Sequence, residues 1–84
     1  MVNSGGLPKI DLTTFILSIS SAACMGLEEG KPDLELARQN IDLLELIFDR
    51  TQGNRTSEED RLLEQLLFET RMRFVETQRK LAQK

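Results

Sequence analysis

Residues 50–59 read RTQGNRTSEE, and this stretch decides the fold because it ends one helix and begins another. Gly53 is the residue type that closes a helix in a left-handed conformation without strain. Thr56 and Glu59 form a Thr-x-x-Glu sequence, in which each side chain accepts a hydrogen bond from the other residue's backbone amide. The stretch therefore predicts one helix that ends near Gln52 and another that begins at Ser57.

Both flanks of this turn have the periodicity of amphipathic helices. Asp33 is a predicted N-cap, and it precedes apolar residues at three- and four-residue steps: Leu34, Ala37, Ile41, Leu44 and Phe48. After the turn, the main apolar stripe comprises Leu62, Leu63, Leu66, Leu67, Thr70, Phe74 and Leu81. We expect helices over residues 34–52 and 57–81.

An earlier apolar segment predicts a further helix over residues 12–25. Asp11 is a suitable N-cap, Gly26 a suitable end, and Ile10 is placed to pack against Phe15 as a hydrophobic staple. Residues 1–9 contain glycine, proline and asparagine without periodicity, which is typical of a flexible lead-in. The chain is thus predicted to be all-α, a three-helix bundle in a single domain over residues 10–84.

The sequence carries more apolar surface than one three-helix core can hide. The first helix is apolar nearly all round, so we expect it to be buried nearly all round. Helices two and three each carry a second apolar face. Surplus apolar surface usually marks an interaction site, so we predict self-association, most simply as a homodimer, or binding to a partner protein. The alternative is a compact monomer whose second faces are covered by the lead-in and the loops. The candidate interface residues are Phe15, Ile19, Ala22, Leu36, Leu43, Phe68, Met72 and Val75.

Small residues on one side of the first helix add to this expectation. Ser18, Ala22 and Gly26 recur every four residues and form a ridge that would allow another helix to approach closely.

The composition argues against catalysis. The chain has no histidine, so it lacks Ser–His and Cys–His pairs and imidazole metal ligands. Its carboxylate pairs, Asp42 with Glu45 and Asp60 with Glu64, lie beside basic residues as solvated helix faces do. Cys24 lies in the apolar helix with no cation nearby in sequence, which favours packing over reactivity. We expect no enzyme activity, no catalytic or metal site and no cofactor.

The single cysteine and the charge pattern bear on compartment and on nucleic-acid binding. The lone cysteine and the lack of a positively charged start before the apolar segment favour the cytoplasm over export. That segment is also shorter than a membrane span. The net charge of −3 disfavours nucleic-acid binding, although a basic end of helix three keeps a nucleic-acid-associated factor as the alternative function. Its basic residues are Arg71, Arg73, Arg79, Lys80 and Lys84, and we expect Glu69 and Glu76 to pair with Arg73 and Lys80 along the helix.

The chain also resembles a family of small bacterial proteins, domain of unknown function eighteen forty-four. The resemblance runs from Ile10 to Glu76 and rests on four segments: Asp11–Ser18, the residues Ala37, Ile41, Asp42 and Leu44, the turn Arg50–Thr56 with Glu58 and Glu59, and Arg71–Phe74. Arg55 stands where the family typically has an apolar residue, and we expect it to pair with Asp60. Phe74 stands where a tyrosine is common. The resemblance implies a bacterial, cytosolic protein, and it supplies no catalytic residue, ligand or partner.

Overall fold

A computed structural model of the protein describes residues 11–83. Three helices follow one another: α1 spans Leu12–Met25, α2 spans Leu34–Arg50 and α3 spans Ser57–Ala82. The prediction of an all-α three-helix bundle is confirmed. The predicted lead-in, and the Ile10 half of the predicted staple, lie outside the described residues.

Side-chain caps begin all three helices. Oδ1 of Asp11 accepts a hydrogen bond from the Thr14 amide at 2.9 Å, and Oδ1 of Asp33 accepts one from the Leu36 amide at 3.1 Å. At α3 the reciprocal pair is complete: the Glu59 amide donates to Thr56 Oγ1 at 3.0 Å, and the Thr56 amide donates to Glu59 Oε1 at 2.9 Å. These contacts satisfy amides that the helix itself leaves without partners.

Helix α2 ends at Arg50, two residues before the predicted end. The reason is a side chain from the turn. Nη1 of Arg55 donates to the carbonyl oxygen of Phe48 at 2.6 Å, which is the acceptor that a longer helix would offer to the Gln52 amide. Gly53 then takes the left-handed conformation that the sequence predicts, with φ 82°.

The bundle core lies between all three helices, with α1 packed most extensively on α2. Its buried apolar side chains are Ile16, Ile19, Ala23, Ile41, Leu44, Leu63 and Leu67. Thr70 is also buried, and its hydroxyl donates to the Leu66 carbonyl at 2.7 Å. The main stripes of α2 and α3 thus contribute to the core, as predicted, except that Leu81 is exposed.

Helix α1 buries only one face in the single chain. Phe15, Leu17 and Met25 are each about half exposed, so the expectation that α1 is buried nearly all round is wrong for one copy of the protein. The core of an 84-residue chain is too small to surround a helix completely.

Gly26 holds α1 close to the start of α2. Its carbonyl oxygen accepts a hydrogen bond from the Asp33 amide at 2.8 Å. A Cβ at this position would lie 2.6 Å from the Asp33 carbonyl oxygen and 2.7 Å from the Ala37 nitrogen. The close approach that the small-residue ridge predicts thus occurs at Gly26, and the neighbour is a helix of the same chain.

Candidate interaction surface

Two arginines of α3 show which way its exposed face points. Arg71 donates from Nε to Glu45 Oε2 of α2 at 3.1 Å, and Arg73 donates from Nη1 to Cys24 Sγ of α1 at 3.1 Å. Consecutive residues on a helix are about 100° apart. Met72, between these two arginines in sequence, therefore points away from both neighbouring helices.

An apolar stripe runs along that outward side of α3. Phe68, Met72 and Val75 are 64%, 57% and 50% exposed, and their four- and three-residue spacing places them on one face. We call these three residues the α3 outer stripe. They lie about 120° to 180° around the helix from the buried Leu63. The structure thus brings together the three candidate interface residues of this helix.

The α3 outer stripe borders a groove between α2 and α3. The groove has a volume of about 590 Å³. It is lined by Glu45, Phe48, Asp49, Glu64, Leu67, Phe68, Arg71, Met72 and Val75. Five of these lining residues are apolar, and the other four are three acids and one arginine. The periodicity of α3 predicts the stripe, but the groove depends on the packing of α2 beside α3.

The other candidate interface residues lie elsewhere. Phe15 and Leu43 are exposed, and Ala22 and Leu36 are half-buried, but none of the four lines the groove. Ile19 is 8% exposed and belongs to the bundle core, so one copy of the chain already buries it. Exposed apolar surface on α2 also includes Leu46, on the side away from the core.

Charges near the site form contacts between elements of the fold. Lys80 Nζ lies 3.5 Å from Glu29 Oε2, and Arg71 pairs with Glu45. The expected pairs Glu69–Arg73 and Glu76–Lys80 do not occur among the described residues, since each cation reaches a different helix or loop. Cys24 has no cation near it in sequence, but the fold brings Arg73, 49 residues away, within hydrogen-bond distance of its sulfur.

Arg55 braces the turn at the other end of the bundle. Its Nε donates to Asp60 Oδ1 at 2.8 Å, its Nη1 donates to Thr51 Oγ1 at 3.0 Å, and its guanidinium lies 4.4 Å from the Phe48 ring centroid. The predicted Arg55–Asp60 pair is confirmed. Phe48 also lines the groove, so this contact fixes one wall of the site.

The potential metal ligands within residues 11–83 are scattered over the fold. No three His, Cys, Asp or Glu side chains are grouped so that they could hold a metal ion there. In the same range every buried side-chain nitrogen and oxygen has a hydrogen-bond partner. Of the three described helices, none is both long and apolar enough to cross a bilayer.

The fold and this surface define a small all-α bundle with an exposed apolar helix face beside a groove. The chain belongs to the family described as Domain of unknown function (DUF1844), whose model matches residues 9–76. The predicted family membership is thereby confirmed. No curated protein and no solved structure matches the chain.

Proposed function

We propose that this protein is a non-catalytic protein–protein interaction module of the bacterial cytoplasm, acting as a homodimer or as an accessory subunit. One observation carries the proposal: Phe68, Met72 and Val75 are at least half exposed, adjacent to one another and beside an apolar groove. Single exposed apolar residues are ordinary in soluble proteins, but a contiguous patch is typical of an interaction surface.

The size of the domain adds support. Small domains bury a low fraction of their surface on folding and often gain stability by associating. Here Phe15, Leu17 and Met25 of α1, and Leu43 and Leu46 of α2, also remain exposed. The described loops leave these side chains accessible, which favours association over a self-contained monomer.

The engagement of the polar groups supports a non-catalytic role. Asp60 is held by Arg55 and Glu45 by Arg71, so one carboxylate of each candidate pair already has a structural partner. Cytoplasmic placement is supported by the single cysteine, which cannot form a disulfide within the chain.

The nucleic-acid alternative receives less support. Arg71, Arg73 and Lys80 of the basic segment contact Glu45, Cys24 and Glu29 of the same chain. Three carboxylates are among the side chains that line the neighbouring groove. Binding to phosphates needs a continuous, unneutralised basic surface, and the ion pairs of Arg71 and Lys80 interrupt it.

Sedimentation equilibrium, from low micromolar to near-millimolar protein, tests the homodimer form of the proposal. We expect the mean mass to rise above the 9.6 kDa of the single chain as concentration increases. For an accessory subunit, a photo-crosslinking amino acid in place of Phe68 should give one defined adduct in the native host. The same group in place of Glu35, an exposed polar residue of α2, is the control. A constant mass of 9.6 kDa together with no adduct specific to position 68 would exclude the proposal.

A further inference from the structure

We infer that the α3 outer stripe is the docking site for a second copy of this chain, with the two α3 helices antiparallel. The inference rests on the proposed interaction function and names its partner. A two-fold dimer of this kind uses the same patch on both copies, so the patch must complement itself in shape and in charge.

Charges are unevenly placed along the stripe. Toward the start of α3, Glu64 and Asp49 line the groove beside Phe68. Toward the end of α3, Arg79 is exposed one turn after Val75 and on the same face. Among residues 11–83 none of these three charges lies within ion-pair distance of an opposite charge. Two groove-lining acids thus lie toward the start of the stripe and Arg79 lies toward its end, while Arg61 and Glu76 place one exposed opposite charge near each end.

An antiparallel arrangement centred on Met72 matches these ends. Arg79 lies seven residues after Met72 and Glu64 lies eight residues before it, so each Arg79 meets Glu64 of the second copy. Phe68 lies four residues before Met72 and Val75 three residues after it, so the two also face each other across the dimer. Arg61, eleven residues before the centre, lies opposite the uncharged Gln83.

Other occupants match the charges less well. A parallel pair would place Arg79 beside Arg79 and Glu64 beside Glu64, which is repulsive. A basic helix from an unrelated protein would satisfy Asp49 and Glu64 but would leave Arg79 without an acid. A second copy supplies both signs at the correct ends.

Charge reversal tests the pairing directly. Within one copy Glu64 and Arg79 are fifteen residues apart on a helix, about 22 Å, so they do not contact each other. We expect Arg79→Glu alone and Glu64→Arg alone each to weaken the dimer, roughly three- to tenfold for two symmetric surface pairs. The double variant should recover most of the loss, because the reversed charges attract again across the interface. Sedimentation equilibrium gives the dissociation constants. If the losses of dimer affinity in the two single variants simply added in the double variant, the Glu64–Arg79 contact would be refuted.

Disulfide formation between single cysteines tests the orientation. In a Cys24→Ser background, Met72→Cys should cross-link to itself on mild oxidation, because it lies at the two-fold axis. Gln65→Cys should not, since an antiparallel pair separates these residues by about 21 Å. A parallel pair would cross-link at both positions, which would overturn the inference. The Cys24→Ser chain must first show the dissociation constant of the natural chain.

Two apolar-to-acid substitutions separate this inference from the proposed function. Phe68→Asp should abolish the dimer, whereas Leu46→Asp, on the outer side of α2 and outside the groove, should leave it intact. A dimer that resists Phe68→Asp and yields to Leu46→Asp would preserve self-association and overturn this surface. A chain that is monomeric at every concentration but cross-links to another protein through position 68 would overturn the inference alone.

Discussion

Arg55 and Asp60 form an ion pair that closes the turn between α2 and α3. The Arg55 Nη2 to Asp60 Oδ1 distance is 2.6 Å, and the exposed fractions of the two side chains are 8% and 46%. The guanidinium also donates to the Phe48 carbonyl and the Thr51 hydroxyl. The arginine is therefore the buried partner and links the end of α2 to the first turn of α3.

Replacement of Arg55 should depend on what fills its volume. Arg55→Ala removes the hydrogen bonds to Phe48 and Thr51 and leaves a void, so we expect a loss of about 2–3 kcal/mol in the free energy of unfolding. Arg55→Met loses the same hydrogen bonds but fills the volume with apolar atoms, so its loss should be smaller, about 1–2 kcal/mol. Urea denaturation followed by circular dichroism measures both.

Asp60→Asn provides the control for the ion pair itself. Because Asp60 is nearly half exposed, solvent screens the pair, and we expect a loss no greater than about 1 kcal/mol. An Asp60→Asn loss as large as that of Arg55→Ala would mean that charge, and not the backbone contacts of Arg55, holds the turn.

The positions of the helices could be predicted because their signals are local. Asp11, Asp33 and Thr56 each cap the helix that follows them, and Gly53 takes the positive φ expected at the end of α2. The early end of α2 was not predictable in the same way. It depends on the Arg55 side chain, which competes for the Phe48 carbonyl only once the turn has folded.

The surface was predictable only as a pattern on single helices. Periodicity separates Phe68, Met72 and Val75 from the buried side of α3, and all three are exposed. Periodicity cannot show that Arg71 reaches α2 while Arg73 reaches Cys24 of α1, because these contacts depend on how the helices pack. For the same reason Ile19, on a helix that is apolar all round, could not be assigned to the core from sequence.

Gly26 should be intolerant of any side chain. The atoms that a Cβ would meet, at 2.6 and 2.7 Å, belong to the backbone of Asp33 and Ala37, so relief requires the helices to move apart. We expect Gly26→Ala to lower the free energy of unfolding by about 1–3 kcal/mol. Thermal unfolding at fixed protein concentration measures the change.

Gly30 offers a matched control in the same connection. A Cβ there meets nothing within 4 Å, and its φ is not positive. Gly30→Ala should therefore be neutral or stabilise the protein by up to about 1 kcal/mol, because it restricts the unfolded chain. Similar losses at Gly26 and Gly30 would show that the connection tolerates neither change and that contact with α2 is not the cause.

The Asp11 cap should make stability depend on pH in the acid range. The hydrogen bond from the Thr14 backbone amide, and then that from the Thr14 side chain, lower the pKa of Asp11 from its ordinary value of 3.8. Because the folded-state pKa is the lower one, the stabilisation is fully present above the unfolded-state value and is lost as pH falls through the folded-state pKa. Carbon-13 NMR titration of the carboxyl group should place this pKa below 3.8.

Asp11→Asn separates the charge from the capping oxygen. Asparagine keeps an acceptor for the Thr14 amide and has no carboxyl proton to bind. The variant should remain folded near neutral pH. As the pH falls from just above 3.8 to well below it, the free energy of unfolding should decrease less for the variant than for the natural chain. Parallel losses in both proteins would assign the acid sensitivity to other carboxylates.

Substitutions in the α3 outer stripe should affect association without weakening the single folded chain. Phe68 is 64% exposed, so Phe68→Asp should change the unfolding free energy of the monomer by no more than about 0.5 kcal/mol in dilute solution. Leu63 is fully buried, and Leu63→Ala should cost about 2–5 kcal/mol at every concentration.

Folding linked to dimerisation makes the melting temperature rise with protein concentration. The melting temperature of the natural chain should show this rise. That of Leu63→Ala should also rise, but from a lower value. That of Phe68→Asp should stay the same at every protein concentration. If Phe68→Asp retained the rise, association would have to use another surface, of which the exposed Leu43 and Leu46 on α2 would be the next to test.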